Sequence, residues 1–228
     1  MTKTVMAIGA HTLDAQLTCG MLLAKHAMAG NRIITVDITA GERGAPKPFS
    51  TEEFRQMNIE GAKKFAETLG GKSYIMGLPD AELYATKEAS LTLAQIMRDE
   101  HVDTVLCHWK NSSLCDHAAA SEIAVRASFF ASLPTFPLHG VPAPISELYY
   151  AENWEDMEGF IPYTIFDVSE AFPVWREAVK SLFLAEHAPY FHYLRYYEAL
   201  SIVRGAPIRA DHGSAFAVPE YTKQVIIR

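Results

Sequence analysis

The chain has 228 residues, 49% of them hydrophobic, with 20 basic against 27 acidic side chains and a net charge of −7. That apolar share suits one sizeable core, and the acidic balance argues against a nucleic-acid or anionic-membrane partner. No apolar run approaches the roughly 18 residues of a membrane span. The three cysteines, Cys19, Cys107 and Cys115, contain no CxxC and fit reduced thiols in a cytoplasmic protein better than a disulfide framework.

The N-terminus enters a strand at once, over residues 4–8, with no signal-peptide pattern. Gly9 stops it, and a helix is expected over 15–29, closed by Gly30-Asn31. Arg32 to Ile38 reads as a β-branched strand. Ser50 and Glu53 are spaced as a capping box, and the helix that follows carries Phe54, Met57, Ala62, Phe65 and Leu69 on roughly one face before Gly70-Gly71. A strand over 73–77, a helix over 89–100, a strand over 103–108 and a helix over 117–131 complete the alternating half. Pro134 to Pro144 closes it. The last third carries strand-like runs at 146–151 and 161–168, a helix at 170–187 broken by Pro189, and another to about 204. No linker composition separates it, so residues 1–228 are expected to form one domain with 145–228 as its C-terminal extension. The order β-α-β-α-β-α-β-α predicts an α/β fold: a Rossmann-like three-layer sandwich, a mostly parallel sheet with helices on both faces.

In such a sheet, ligands bind beyond the C-terminal strand ends where the strand order reverses, commonly between the first and fourth strands. His11 and Asp14 follow the first strand. His108 ends the fourth, and Asp116 and His117 follow by one loop. Two imidazoles and a carboxylate, His11, Asp14 and His117, are the ligand set of an open zinc site, with Asp116 able to orient a ligand ring. The plainer alternative makes Asp14 a helix cap and His11 a surface imidazole.

These residues also stand in a recognisable pattern. The segment from Ala7 to Gly44 resembles the opening of the LmbE-like (PIG-L) family of zinc-dependent N-deacetylases, which remove acetyl groups from N-acetylglucosamine-type substrates. The family's Ala-His-Pro-Asp-Asp-Glu stands here as Ala10-His11-Thr12-Leu13-Asp14-Ala15, followed by Thr18-Cys19-Gly20. Its Thr-x-Gly-Glu-x-Gly stands as Thr39 to Gly44. Its substrate-contacting Arg matches Arg55, and Gly77-Leu78-Pro79-Asp80 resembles its turn after the third strand. Its His-Pro-Asp-His stands as Leu114-Cys115-Asp116-His117. Lys180 to His187 resembles its late helix. Arg204-Gly205 and His212 to Phe216 are similar to its ending.

The resemblance implies zinc, or another divalent metal, on His11, Asp14 and His117, with Asp116 as the outer partner. It implies a sugar-like small molecule met by Arg55 and by His212 at the mouth. It also exposes two departures: the family's general base falls on Leu13, and its oxyanion-stabilising or acid His falls on Leu114. Replacement candidates for catalytic proton transfer are Glu42, His108 and Asp116. His108 has the alternative of a hydrogen-bonded ring closing a buried strand. Cys107 and Cys115 read as small apolar filler. The aromatic run Tyr190, Phe191, Tyr193, Tyr196, Tyr197 fits a packed helix as well as a sugar platform. Tyr149 to Glu155 fits a cavity rim or a contact between copies in a homo-oligomer. Two functions are therefore expected as alternatives: a metal-dependent N-deacetylase with displaced proton-handling groups, or a catalytically silent relative that keeps the metal and pocket as a ligand-binding or structural protein.

Overall fold

The computed structural model describes residues 2–156 and 158–223; Met1, Met157 and residues 224–228, which include both ends of the expected 1–228 unit, lie outside the described residues. A seven-stranded sheet runs in the order β3-β2-β1-β4-β5-β7-β6. Its five parallel strands are β1 (Thr4–Gly9), β2 (Arg32–Asp37), β3 (Lys72–Ile75), β4 (Thr104–His108) and β5 (Glu147–Ala151). β1 and β4 are neighbours, with Val5 opposite Thr104, so the reversal of strand order lies where the sequence places it. β1 is buried at all six positions, as a strand covered by helices on both faces must be.

α1 (Asp14–Thr18), α2 (Gly20–Met28), α3 (Thr51–Thr68), α6 (Phe172–Val179), α7 (Phe183–His187) and α8 (Tyr193–Gly205) cover one face, around Leu22, Leu23, Phe65, Trp175 and Phe216. α4 (Lys87–Asp99) and α5 (Cys115–Ser132) cover the other, around Ile8, Val36, Leu93, Met97 and Ile123. α3 starts at the expected capping box: Ser50 Oγ accepts the Glu53 N–H at 3.2 Å, and Glu53 accepts the Ser50 N–H at 2.9 Å. Among the described residues, no helix is long and apolar enough to cross a membrane.

Three local expectations change. The helix expected over 15–29 is divided at Cys19 into α1 and α2. A Cβ on Gly20 would lie 2.5 Å from Trp175, so this glycine lets the α6 indole reach the backbone at the division. The helix expected over 170–187 is also divided, into α6 and α7. The strand β7 (Gly213–Ala217) was not foreseen, because Gly-Ser-Ala-Phe-Ala carries little β-branched signal. It lies antiparallel between β5 and β6 (Thr164–Asp167) and joins the last third to the sheet.

Candidate functional site

The C-terminal ends of β1 and β4 set the position of the site. Gly9 allows the chain to turn: a Cβ there would meet Ala15 N and His11 O at 3.0 Å. Past it, Leu13 adopts φ 100° and Asp14 opens α1. The Leu13 N–H is taken by Gln16 Oε1 at 2.9 Å, and the Gln16 amide donates to both oxygens of buried Asp37. The turn is thus clamped from the core. Asp14 Oδ2 accepts the His11 N–H at 2.8 Å. Asp14 therefore shapes the turn from the first helical position, while Leu13 occupies the cap position without a capping side chain.

Three imidazoles converge on that same oxygen. His11 Nδ1 lies 3.1 Å from Asp14 Oδ2, His117 Nε2 3.4 Å and His108 Nε2 3.3 Å. His11, Asp14 and His117 each offer a ligand atom within 4.8 Å of the others. Two donors about 2.0–2.1 Å from a tetrahedral zinc stand about 3.4 Å apart. The two separations from Asp14 fit that spacing, and the donor set of two imidazoles and one carboxylate fits the ion. His11 is also oriented correctly for it: Nε2 faces Asp80 Oδ1 and Asp116 Oδ2, both at 3.2 Å. A proton on Nε2 shared with those carboxylates leaves the Nδ1 lone pair facing Asp14.

The charges act in the same sense. Burial alone lowers the His11 pKa, but the Asp14 charge and hydrogen bond, with Asp80, lift it to about 11. Burial opposes Asp14 at His117 too, and His117 rises to about 10. Burial works to raise Asp14, yet the His117 and His11 charges hold it well below the usual carboxylate range. Without a cation, this cluster recruits protons to the places a cation would occupy.

Of the other candidates, His108 and Asp116 lie against this cluster, and Glu42, Arg55 and His212 are engaged with other partners. His108 is buried, stacks on His117 with ring centroids 4.1 Å apart, and accepts the Ala10 N–H at Nε2. Asp116 accepts the Ala81 and Leu83 N–H groups, holding the loop after β3 against His11. Glu42 pairs with Arg55 at 3.3 Å. His212 stacks on Phe172 at 3.7 Å and hydrogen-bonds Ser201 at 2.8 Å. None of His108, Asp116, Glu42, Arg55 and His212 lines the cavity of about 200 Å³ above the cluster. Leu13 and Leu114 do line it. Burial raises the thiol pKa of Cys107 and that of Cys19, the latter to about 12. Cys115 is exposed at the start of α5, so it is not the filler expected.

The loop after β5 bears out the rim expected within Tyr149 to Glu155, but sequence reasoning missed Asp156 and the approach of Glu155 and Asp156 to His117. Asn153, Trp154 and Glu155 line the cavity, with Tyr193 and Tyr197 from α8 beside them. Glu155 Oε2 and Asp156 Oδ2 each lie 3.7 Å from His117 Nδ1. Burial, reinforced by Asp14 and Asp156 and opposed by His117, holds the Glu155 pKa above the ordinary carboxyl range. The signal that could have found them is the rule that found His11: β5 is parallel to β4, so its C-terminal loop faces the same crevice. From the aromatic run, Tyr193 and Tyr197 face the cavity, while Tyr190 is exposed.

Comparison with known proteins places this geometry in context. The family model described as PIG-L, GlcNAc-PI de-N-acetylase, matches residues 6–128. The 4-oxalmesaconate hydratase of Pseudomonas putida is 24% identical over 223 residues, covering 92% of this chain and 83% of that protein. The crystal structure of the 4-carboxy-2-hydroxymuconate hydratase from the same species superposes with a TM-score of 0.86 at 20% identity, covering 99% of this chain and 100% of that one. The N,N'-diacetylchitobiose deacetylase of Pyrococcus horikoshii, complexed with an inhibitor, superposes with a TM-score of 0.80 at 21% identity, over 95% of this chain and 84% of that one. At these identities the structural likeness is one of fold.

Proposed function

This chain belongs to the PIG-L family of GlcNAc-PI de-N-acetylases, and from that premise we propose that it is a divalent-metal-dependent amide hydrolase acting on a small, uncharged, sugar-like N-acyl substrate. The observation that carries the reading is the convergence of His11 Nδ1 and His117 Nε2 on one Asp14 oxygen, at 3.1 and 3.4 Å, beneath a cavity. A metal such as zinc, held by these three residues, supplies Lewis-acid polarisation of a carbonyl and lowers the pKa of water.

The remaining chemistry falls to the chain's own groups. Glu155 takes the proton of the attacking water and returns it to the departing amine. A carboxyl group held above its ordinary pKa suits a residue that must both accept and donate. Leu13 and Leu114 leave these tasks to the loop after β5. Tyr193 and Trp154, the latter stacked on Phe191 at 4.3 Å, offer apolar faces to a pyranose. Among the described residues, none lining the cavity is Lys or Arg. A substrate bearing a carboxylate, as in the name of the Pseudomonas putida hydratase, would meet no lysine or arginine on these walls. An uncharged amide suits the walls better.

The second reading, a silent relative that binds a sugar-like ligand without turnover, is favoured by Leu13 and Leu114 on the cavity wall. One experiment separates the two. Zinc content is measured in purified protein, and acetate release is followed from N-acetylglucosamine and N,N'-diacetylchitobiose. The hydrolase reading expects bound zinc and activity that His11→Ala or His117→Ala abolishes and Glu155→Gln lowers about a hundredfold or more. Zinc without activity, with acetate release appearing only in the Leu13→Asp, Leu114→His double variant, would establish the silent relative. A protein with no zinc and no dependence on His11 or His117 overturns both.

A further inference from the structure

We propose that Asp156 is the positioning residue for His117, the fixed negative group that holds the ring proton on Nδ1 and leaves Nε2 free to bind metal; this rests on the metal reading above. Asp156 is fully enclosed, with none of its surface exposed. Its Oδ2 lies 3.7 Å from His117 Nδ1 and 3.9 Å from His108 Nδ1, and accepts the Asn153 amide at 3.2 Å. One carboxylate therefore sits beneath the same edge of two stacked rings.

The tautomers follow from hydrogen-bond accounting. A neutral imidazole has one N–H and one bare nitrogen. The Ala10 N–H donates to His108 Nε2 at 3.0 Å, so the His108 proton is on Nδ1, on the Asp156 side. His117 can ligate through Nε2 only if its proton is also on Nδ1. Three groups face that nitrogen: Asn153 Nδ2 at 3.3 Å, Glu155 Oε2 at 3.7 Å and Asp156 Oδ2 at 3.7 Å. Asn153 cannot accept the proton there, because Tyr197 donates to its Oδ1 at 2.7 Å and so turns the NH₂ toward the histidine. Left alone, that amide would favour the wrong tautomer by donating to a bare Nδ1.

Two carboxylates remain. Glu155 lines the cavity, where a substrate must displace or engage it. Asp156 is enclosed and stays fixed whatever fills the cavity. A separation of 3.7 Å is too long for a hydrogen bond, so Asp156 acts through its charge, which is strong in a buried setting. Each ligand ring then has its own carboxylate support: Asp80 and Asp116 for His11, Asp156 for His117. The spacing of the sequence motif assigns the outer role to Asp116 alone, whereas Asp116 lies against the other histidine.

The test measures zinc affinity directly, by competition with a chromophoric chelator, in the wild type, Asp156→Asn, Asp156→Glu and Glu155→Gln. The expected result is a loss of about ten- to a hundredfold in Asp156→Asn, recovery in Asp156→Glu, and little change in Glu155→Gln. ¹⁵N spectra of the histidine rings in the zinc-loaded protein should show His117 bound through Nε2 with its proton on Nδ1 in the wild type, and a departure from that state in Asp156→Asn, which a merely structural role would not cause. If Asp156→Asn does not fold, the wild-type His117 tautomer and the Asp156→Glu affinity still decide. His117 protonated on Nε2 in the zinc-loaded wild type overturns the proposal. So does a loss of zinc affinity in Glu155→Gln that is absent from Asp156→Asn. A wild type that binds no zinc overturns the metal reading itself, and is distinguished by that arm alone.

Discussion

Asp14 is where backbone shape and site chemistry meet. Its carboxylate accepts the His11 N–H and faces three imidazoles, so the turn after β1 and the candidate ligand cluster are held by one group. The charge pattern gives the metal-free protein a definite pH response. His11 and His117 have folded pKa values of about 11 and about 10, against an ordinary value of 6.5. Their stabilising contribution is complete below pH 6.5 and is lost as pH rises toward 10 and 11. Asp14, held below its ordinary 3.8, contributes above that pH and loses its contribution on acidification. The cluster therefore stabilises the metal-free protein most between about pH 4 and 6.5. Thermal unfolding of the metal-free protein should show the midpoint falling from pH 6.5 to 10, with a flatter fall in His11→Ala. A midpoint that rises across that range contradicts the assignment.

Among the elements, the division between α1 and α2 carries the most consequence. Trp175 of α6 is fully buried, and its Nε1 donates to the Gln16 carbonyl at 2.8 Å. That contact needs Gly20, where any Cβ would meet the indole at 2.5 Å. Since Gln16 also clamps the Leu13 turn, α6 supports the site at one remove. Gly20→Ala is expected to force the indole from its place and to cost about 1–3 kcal/mol by overpacking. Urea titration followed by tryptophan fluorescence measures it. An unchanged midpoint would mean that the ring shifts freely. The expected helix over 15–29 has the right extent but not this division, because hydrophobic periodicity does not register a partner 155 residues further along the chain.

At the scale of the molecule, residues from the two ends of the chain share one core and one cavity. Val5, Leu23 and Phe65 cluster with Trp175, Tyr197 and Phe216. The cavity is walled by the turn after β1, α1, α5, the loop after β5 and α8. β7 sits between β5 and β6, so the last third cannot leave without opening the sheet. Zinc should therefore stabilise the chain as a whole. At a free concentration about a hundred times its dissociation constant it should add about 2.7 kcal/mol. Calorimetry should show a single transition moving upward with zinc and unmoved in the His11→Ala, His117→Ala double variant. Two transitions, with zinc shifting only one, would divide the chain at the Pro134–Pro144 stretch.

The sequence alone determined the α/β layering, the strand neighbours at the reversal and the common crevice of His11, Asp14 and His117. These follow from periodicity, caps and strand order, which are local or topological. The capping box at Ser50 is legible for the same reason: both partners lie within one turn. Only tertiary structure decided which ring each carboxylate faces and which residues of the expected rim and aromatic run wall the cavity. Asp116 and His117 are adjacent in sequence, yet Asp116 faces His11 while His117 faces Asp156. Successive helical residues point about 100° apart, so adjacency along a helix separates side chains rather than joining them. Glu155 and Asp156 reach the site through β5, and a contact closed by sheet pairing leaves no periodic trace in the chain that makes it.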